Sequence, residues 1–399
     1  MNDLYKLDNT VKHYAWGSPE WIPRLTGQKN PGGKPWAELW MGIHPDGPSK
    51  ITADGKTLPL SELAELPFLL KFLAAESPLS IQAHPNLRQA KEGFEKESRA
   101  GIALDSPERN YKDPNHKPEI ICALSSFTAM AGFRDAAETE RLLSMVSGAE
   151  GLRKALHGGY RPFLTALFGL GNNEKESLTG AVLQAAANGS PAAPLSLCGE
   201  LARRYPGDPG ILAPLYLNVI ELQPYEAIFI PAGVLHAYIH GFALECMANS
   251  DNVLRGGLTP KHIDLEELFS IVSFEPFKPE VLKPAALSPG CYGYKIPCGE
   301  FALFLIKGTA SQGGPPAELE AAGDAIIAVI DGAAECSVIK AECSDDMEEC
   351  SVVKGDGGKT GQKTALLGRG ESAFAGRRKQ GERLSFAGNF TLFAAATPE

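Results

Sequence analysis

From Leu79 to His84, polar and apolar residues alternate. An extended chain would put Ser80, Gln82 and His84 on one face and Leu79, Ile81 and Ala83 on the other. The preceding run, LPFLLKFL at residues 66–73, is strongly apolar, which predicts a strand deep in a core. A buried glutamine beside a buried histidine requires partners. Next, Leu87, Ala90 and Phe94 recur at helical spacing and predict a helix over residues 87–97. EIICALSSFTAMAGF, residues 119–133, has β character.

At Asp135 the composition turns to Ala, Leu and Glu. Leu142, Leu143 and Val146, then Leu152 and Leu156, then Leu178, Ala181, Val182 and Ala185 fit a helical period. Gly158-Gly159 and Gly171-Asn172-Asn173 punctuate the segment, and residues 135–207 are expected to form a small helical domain. The β pattern returns at Tyr216. LNVIELQPYEAIFIPAGVLHAYIHGFALECMA reads as four strands separated by turns. Short strands at this spacing suggest a sandwich or jelly roll. With β sequence on both sides, the helices become an insertion into one β domain. FALFLIKG, AIIAVIDG, TALLGRGESAFA and FTLFAAAT predict a second jelly roll, joined through the proline-rich stretch 274–284.

A chain of 399 residues exceeds one ordinary core, so two or three domains are expected. The net charge of −10 argues against a nucleic-acid partner, which needs a basic face. It leaves room for a small anion, which a local cluster of Arg and Lys can hold. No apolar run reaches membrane-spanning length, and the first residues lack a secretory pattern, so a cytoplasmic protein without membrane partners is expected. Cys122, Cys198 and Cys246 lie in apolar or mixed surroundings and are expected to be reduced and buried. Cys336, Cys343 and Cys350 each sit inside Glu-Cys-Ser, seven residues apart. Zinc sites usually carry a closer cysteine pair, so a local duplication on the surface is the expectation.

Three stretches concentrate polar groups in apolar settings: SIQAHPN, NYKDPNHKPEI, and the long stretch from IPAGVLH to GGLTPKHID. His84 and His236 with a carboxylate would suit a divalent transition metal, and Gln82 could add a weak neutral donor. Glu119, at a strand entry beside two isoleucines, is the stronger carboxylate candidate, because a buried ionised Glu needs a cation. Asp113 has the look of a turn residue. Lys117 shares a strand face with Glu119 and could donate a proton, stabilise charge or anchor phosphate; the bland alternative is a surface lysine. Arg255, next to Gly256-Gly257, either joins Lys261 in an anion site or pairs with Asp251 in a loop.

Together, YAWGS, AELWMGIHP, SIQAHPN, YKDPNHKPE and PAGVLHAYIHGFALECMANSDNVLRGGLTPKHID resemble the type I mannose-6-phosphate isomerases, a family of zinc-dependent cupins. The resemblance runs in order from Leu7 to Asp264, with the helical segment fitting poorly. It implies a catalytic cupin jelly roll at 1–134 and 208–277, a helical insertion at 135–207, and a second cupin-like jelly roll without metal at 278–399. It implies one zinc ion on Gln82, His84, Glu119 and His236, which would answer what holds Gln82 and His84. It implies Arg255 as an active-site cation and Lys117, Glu245, Asp251 and Lys261 as residues of the cavity; for the proton transfer itself, Glu245 is read as the leading base and Lys117 as proton carrier or enediolate partner. Ser80, Lys261, Asp251 and His116 become substrate contacts. The implied reaction is the interconversion of mannose 6-phosphate and fructose 6-phosphate through a cis-enediol, in a monomer. An iron-dependent oxygenase and a non-catalytic sugar-phosphate binder are the alternatives. The family's lysine after QxHPN is here Leu87 followed by Arg88, so a charge there would have to come from Arg88.

Overall fold

The computed structural model describes residues 4–53, 55–187, 193–309, 316–321, 323–340, 364–379 and 381–398. The fold is mostly β with a block of helices. The chain divides into two compact units. One comprises Met1–Ala74, Leu244–Ala248 and Leu282–Glu399; the other comprises Ala75–Ala243 and Asn249–Val281.

In the first unit, antiparallel strands follow the order Leu4–Lys6, Ser372–Ala375, Ala325–Lys340, Glu382–Ala396, Ala302–Gly308, Cys291–Gly293, Ala285–Ser288. Leu4, Ile327, Phe386 and Leu392 are among its buried core. The expected β run after residue 282 is therefore present. Its strands alternate as half-buried strands should: Ala334 and Cys336 point inward while Glu335 is exposed. Cys336 is thus a core residue of a strand rather than a surface one, and burial pushes its thiol up to about 12. Cys343 and Cys350 lie outside the described residues. Cys122, Cys198 and Cys246 are buried, as expected. The strand Phe68–Ala75 is buried at every position, Lys71 included.

The second unit carries the helical block. Ala136–Leu143, Glu150–Leu156, Tyr160–Phe168, Asn172–Ala187 and Ala193–Arg204 follow one another, as the helical period predicts. Their apolar stripes, with Leu142, Leu156, Phe163, Val182 and Leu201, join Ile81, Met130 and Phe133 in one core. The helices therefore pack directly on the strands that bear the polar motifs.

Those strands differ in detail from the sequence expectation. Residues 119–133 form two strands, Glu119–Ala123 and Phe127–Phe133. The four strands expected after Tyr216 are three: Leu217–Leu222, Ala227–Ile230 and the thirteen-residue His236–Ala248. His240-Gly241 is not a turn; the pairing of this strand with Phe127–Phe133 slips between Tyr238 and His240. Gly241 has φ +125°, and a side chain there would meet Ser126 O at 2.6 Å, so glycine permits a bulge and the strand runs on.

Candidate metal centre

The ladder at SIQAH is only two residues long, Gln82–Ala83. Gln82 is opposite His236 on one side and Arg255 on the other. This arrangement needs close backbone approach: Gly256 N donates to Ile81 O (2.7 Å) and Ile81 N to Gly257 O (3.0 Å). Gly257, at φ +128° with Gly210 Cα 3.0 Å from where a side chain would start, must be glycine. Past His84 and Pro85, Asn86 caps the helix Leu87–Arg99. Its side chain accepts from Gln89 N and its own N donates to Gln89 Oε1, both at 2.9 Å. Glu119 opens its strand opposite Ile230.

These elements bring Gln82, His84, Glu119 and His236 together. His84 is 1% exposed, and Glu119 and His236 are fully buried. His84 Nδ1 faces Asn252 O at 2.7 Å, and His236 Nδ1 faces Val234 O at 2.9 Å. A carbonyl only accepts, so each Nδ1 carries a proton, and a ring with no second proton turns a bare Nε2 inward. Those nitrogens lie 3.5 Å and 3.0 Å from the two oxygens of Glu119. Burial, followed by the neighbouring Lys117 charge, lowers His84 to about 4, so its ring is neutral. Burial alone would raise the Glu119 carboxyl. The neighbouring Lys117 ammonium, foremost, outweighs it and holds the group well below the carboxylate range.

The result is a buried carboxylate faced by two lone pairs. Such acceptors repel one another unless something positive joins them. Lys117 Nζ supplies part of that, at 2.7 Å from Glu119 Oε2 and 3.3 Å from His84 Nε2. Tyr238 OH donates to Glu119 Oε1 at 2.8 Å. The Gln82 amide nitrogen lies 3.5 Å from His236 Nε2; turning the amide over would bring its oxygen to the cluster. One ligand atom from each of His84, Glu119 and His236 falls within 4.8 Å of the others, a spacing that can hold a metal ion.

Beside this centre is a set of cations. Arg255 is half-buried, and burial lowers its pKa. Its side chain makes no ion pair or hydrogen bond among the described residues, so a loop pairing with Asp251 does not account for it. Burial, then Arg255 and Lys112, lower Lys261. Lys112, unremarked in the sequence, therefore shares the field of Arg255 and Lys261. Asp251 is exposed, and its N donates to Asp113 Oδ2 at 2.8 Å. Asp113 Oδ1 accepts from Asn115 N at 2.9 Å, the turn role expected. Ser80 and His116 are half-buried in the same unit. Arg88 is bonded to Glu92 (3.1 Å) on the exposed face of its helix. Asp264 caps the next helix, accepting from Glu267 N at 3.0 Å.

Glu245 belongs to the other unit. It is 3% exposed and accepts from Lys71 Nζ at 2.8 Å, while Lys71 lies 3.9 Å from Glu38. Two residues of the centre escaped sequence reading. Tyr238 looks like any strand aromatic, and Asn252 acts partly through its carbonyl, which no residue type reveals.

The fold and the site define a mostly β protein with a buried, metal-competent centre beside a set of cationic side chains. Residues 4–136 match the family model of the catalytic domain of type I phosphomannose isomerase. The mannose-6-phosphate isomerase of Salmonella typhimurium is 45% identical over 326 residues, covering 76% of this chain and 83% of the relative. That of Escherichia coli is 42% identical over 325 residues, with the same coverage. A zinc-bound crystal structure of mannose 6-phosphate isomerase superposes with a TM-score of 0.84 at 36% identity over the whole of both chains. A mutant of the Salmonella typhimurium enzyme gives 0.85 at 35%. The chain belongs to the type I phosphomannose isomerase family.

Proposed function

We propose that the chain is a zinc-dependent aldose–ketose isomerase interconverting D-mannose 6-phosphate and D-fructose 6-phosphate through a cis-enediol. The observation that carries the reading is the convergence of two imidazole lone pairs on buried Glu119, in a chain 45% identical to a curated isomerase. Gln82, His84, Glu119 and His236 would hold the ion; two imidazoles, one carboxylate and an amide oxygen suit zinc. When bound, zinc supplies a Lewis acid for the oxygens at C1 and C2 of the open-chain sugar.

The remaining tasks fall to this chain's own groups. Arg255, Lys261 and Lys112 bind the phosphate dianion, Arg255 with a planar fork and the lysines as point charges. Ser80, His116 and Asp251 are assigned to substrate contacts. Lys117, already an ammonium donor to Glu119, can pass a proton to an enediolate oxygen. Glu245 is kept as the leading base for the carbon acid, a carboxylate that accepts from Lys71 Nζ. The description as two cupin-like jelly rolls, with a helical insertion at 135–207 and a metal-free second barrel at 278–399, is part of the same reading. So are a monomeric state and a cytoplasmic location. No helix among the described residues is long and apolar enough to cross a membrane.

The test is a coupled isomerase assay with metal analysis. Activity should vanish on chelation and return with one equivalent of zinc. Activity indifferent to chelation, or stoichiometric iron with oxygen uptake, would replace this reading with one of its rivals.

A further inference from the structure

Asn252 has the densest set of bonds near the centre. It is fully buried. Its Oδ1 accepts from Lys112 N at 2.7 Å and Asp113 N at 3.2 Å. Its Nδ2 donates to Asp113 O and Asn115 O, both at 2.8 Å. Two lone pairs and two N–H groups are the whole capacity of an amide, and here all four serve one turn. Its backbone carbonyl is meanwhile the acceptor for His84 Nδ1. Its own N donates to Ser250 Oγ, which donates in turn to Asn115 O.

We propose that Asn252 is a positioning residue that sets the His84 imidazole and the turn at residues 112–115 in one register. The turn carries Lys112 at its start and leads within two residues to Lys117. The backbone beyond Asn252 reaches Arg255, paired in register with Gln82. One side chain thus ties the metal-holding edge of the centre to its cations. The inference rests on the isomerase reading for the roles of those groups, and on the hydrogen bonds alone for the coupling.

The side chain is specific to this task. Aspartate would keep both acceptor bonds but lose both donors. It would also place a second carboxylate beside Asp113, whose Oδ1 is 3.4 Å from Nδ2. Alanine loses all four bonds and leaves the carbonyl in a looser segment. Removing groups that orient a metal-holding histidine typically weakens metal binding by about 10–100-fold.

The experiment measures zinc affinity by chelator competition in the wild type, Asn252→Ala and Asn252→Asp, with kcat and KM at saturating zinc. Asn115→Ala, which removes only a peripheral bond to Asn249 O, is the control. Asn252→Ala should bind zinc about tenfold more weakly or worse. Its KM for the phosphosugar should rise severalfold even when zinc is saturating, and Asn115→Ala should match the wild type. Amide exchange on the wild type gives a readout that does not depend on a variant folding: zinc should slow exchange at residues 112–113. Zinc affinity and KM within twofold of wild type in both Asn252 variants would overturn the proposal, as would exchange at 112–113 unmoved by zinc. Failure of the wild type to bind zinc at all would instead overturn the isomerase reading.

Discussion

Among the described residues, two lysine–glutamate pairs are buried, one in each unit, and they differ in what surrounds them. Lys71 in the first unit reaches Glu245 at 2.8 Å and Glu38 at 3.9 Å, and Glu38 also accepts from Trp40 Nε1 at 2.6 Å. Carboxylate oxygens there face N–H donors. Lys117 in the second unit reaches Glu119 at 2.7 Å, but two imidazole Nε2 atoms point at the same carboxylate. Here two imidazole nitrogens and both carboxylate oxygens converge on one point. A buried ion pair is weak evidence of either stability or function. A convergence of two imidazole nitrogens on one carboxylate is different, because it is also a donor set that a divalent metal can take up.

The largest expected effect breaks the second group. His84→Ala or His236→Ala removes one of the donors and should release most bound zinc, with activity down at least about a hundredfold. Elemental analysis showing full zinc in both variants would undo the ligand assignment. Gln82→Ala should be milder, since water can replace an amide oxygen.

Next comes a direct contrast between the two lysines. Lys71→Met strands Glu245 without its partner and should destabilise by about 3–5 kcal/mol, whether or not zinc is present. Lys117→Met should cost a similar amount in metal-free protein, but added zinc should recover most of it by binding to the folded state. Thermal unfolding of both variants with and without zinc checks this; equal recovery in both would erase the distinction.

Arg255 sharpens the comparison from the substrate side. Arg255→Ala should lower kcat/KM by about tenfold or more, the worth of a charged hydrogen bond, and Arg255→Lys less, because charge survives while the fork is lost. Zinc content should stay normal in both. Near-normal kinetics in both variants would remove Arg255 from the site.

The last test is in pH. The folded state holds His84 at about 4 against 6.5 for a free histidine, so the unfolded chain binds the extra proton in between. The lowered pKa of Glu119 acts in the same direction at lower pH. Metal-free stability should therefore be greatest above pH 6.5 and fall as pH drops toward 4. Denaturant titrations of chelated protein at several pH values test the sign; stability flat across that window would mean the histidine is not buried neutral.

Much of this was legible in the residues. Alternation exposed Gln82 and His84, an isolated carboxylate before two isoleucines exposed Glu119, and periodicity exposed the helices. Strand merging at Gly241 was not legible, because a glycine reads alike in a turn and in a bulge. Lys112 was missed because its relevance comes from the neighbouring Arg255 and Lys261, contributed by a segment far along the chain. Asn252 was missed because one half of its role is a carbonyl.

Gln82 and His236 are 154 residues apart in sequence, with most of the helical block between them. Loop closure of that length adds only slowly to the entropic cost, but contacts so distant form late. During synthesis His84 and Glu119 leave the ribosome long before His236, so the full donor set cannot exist until some 240 residues are made. Metal capture thus becomes a late event in the biogenesis of the chain, and a bound ion marks a molecule whose helical block has already been synthesised.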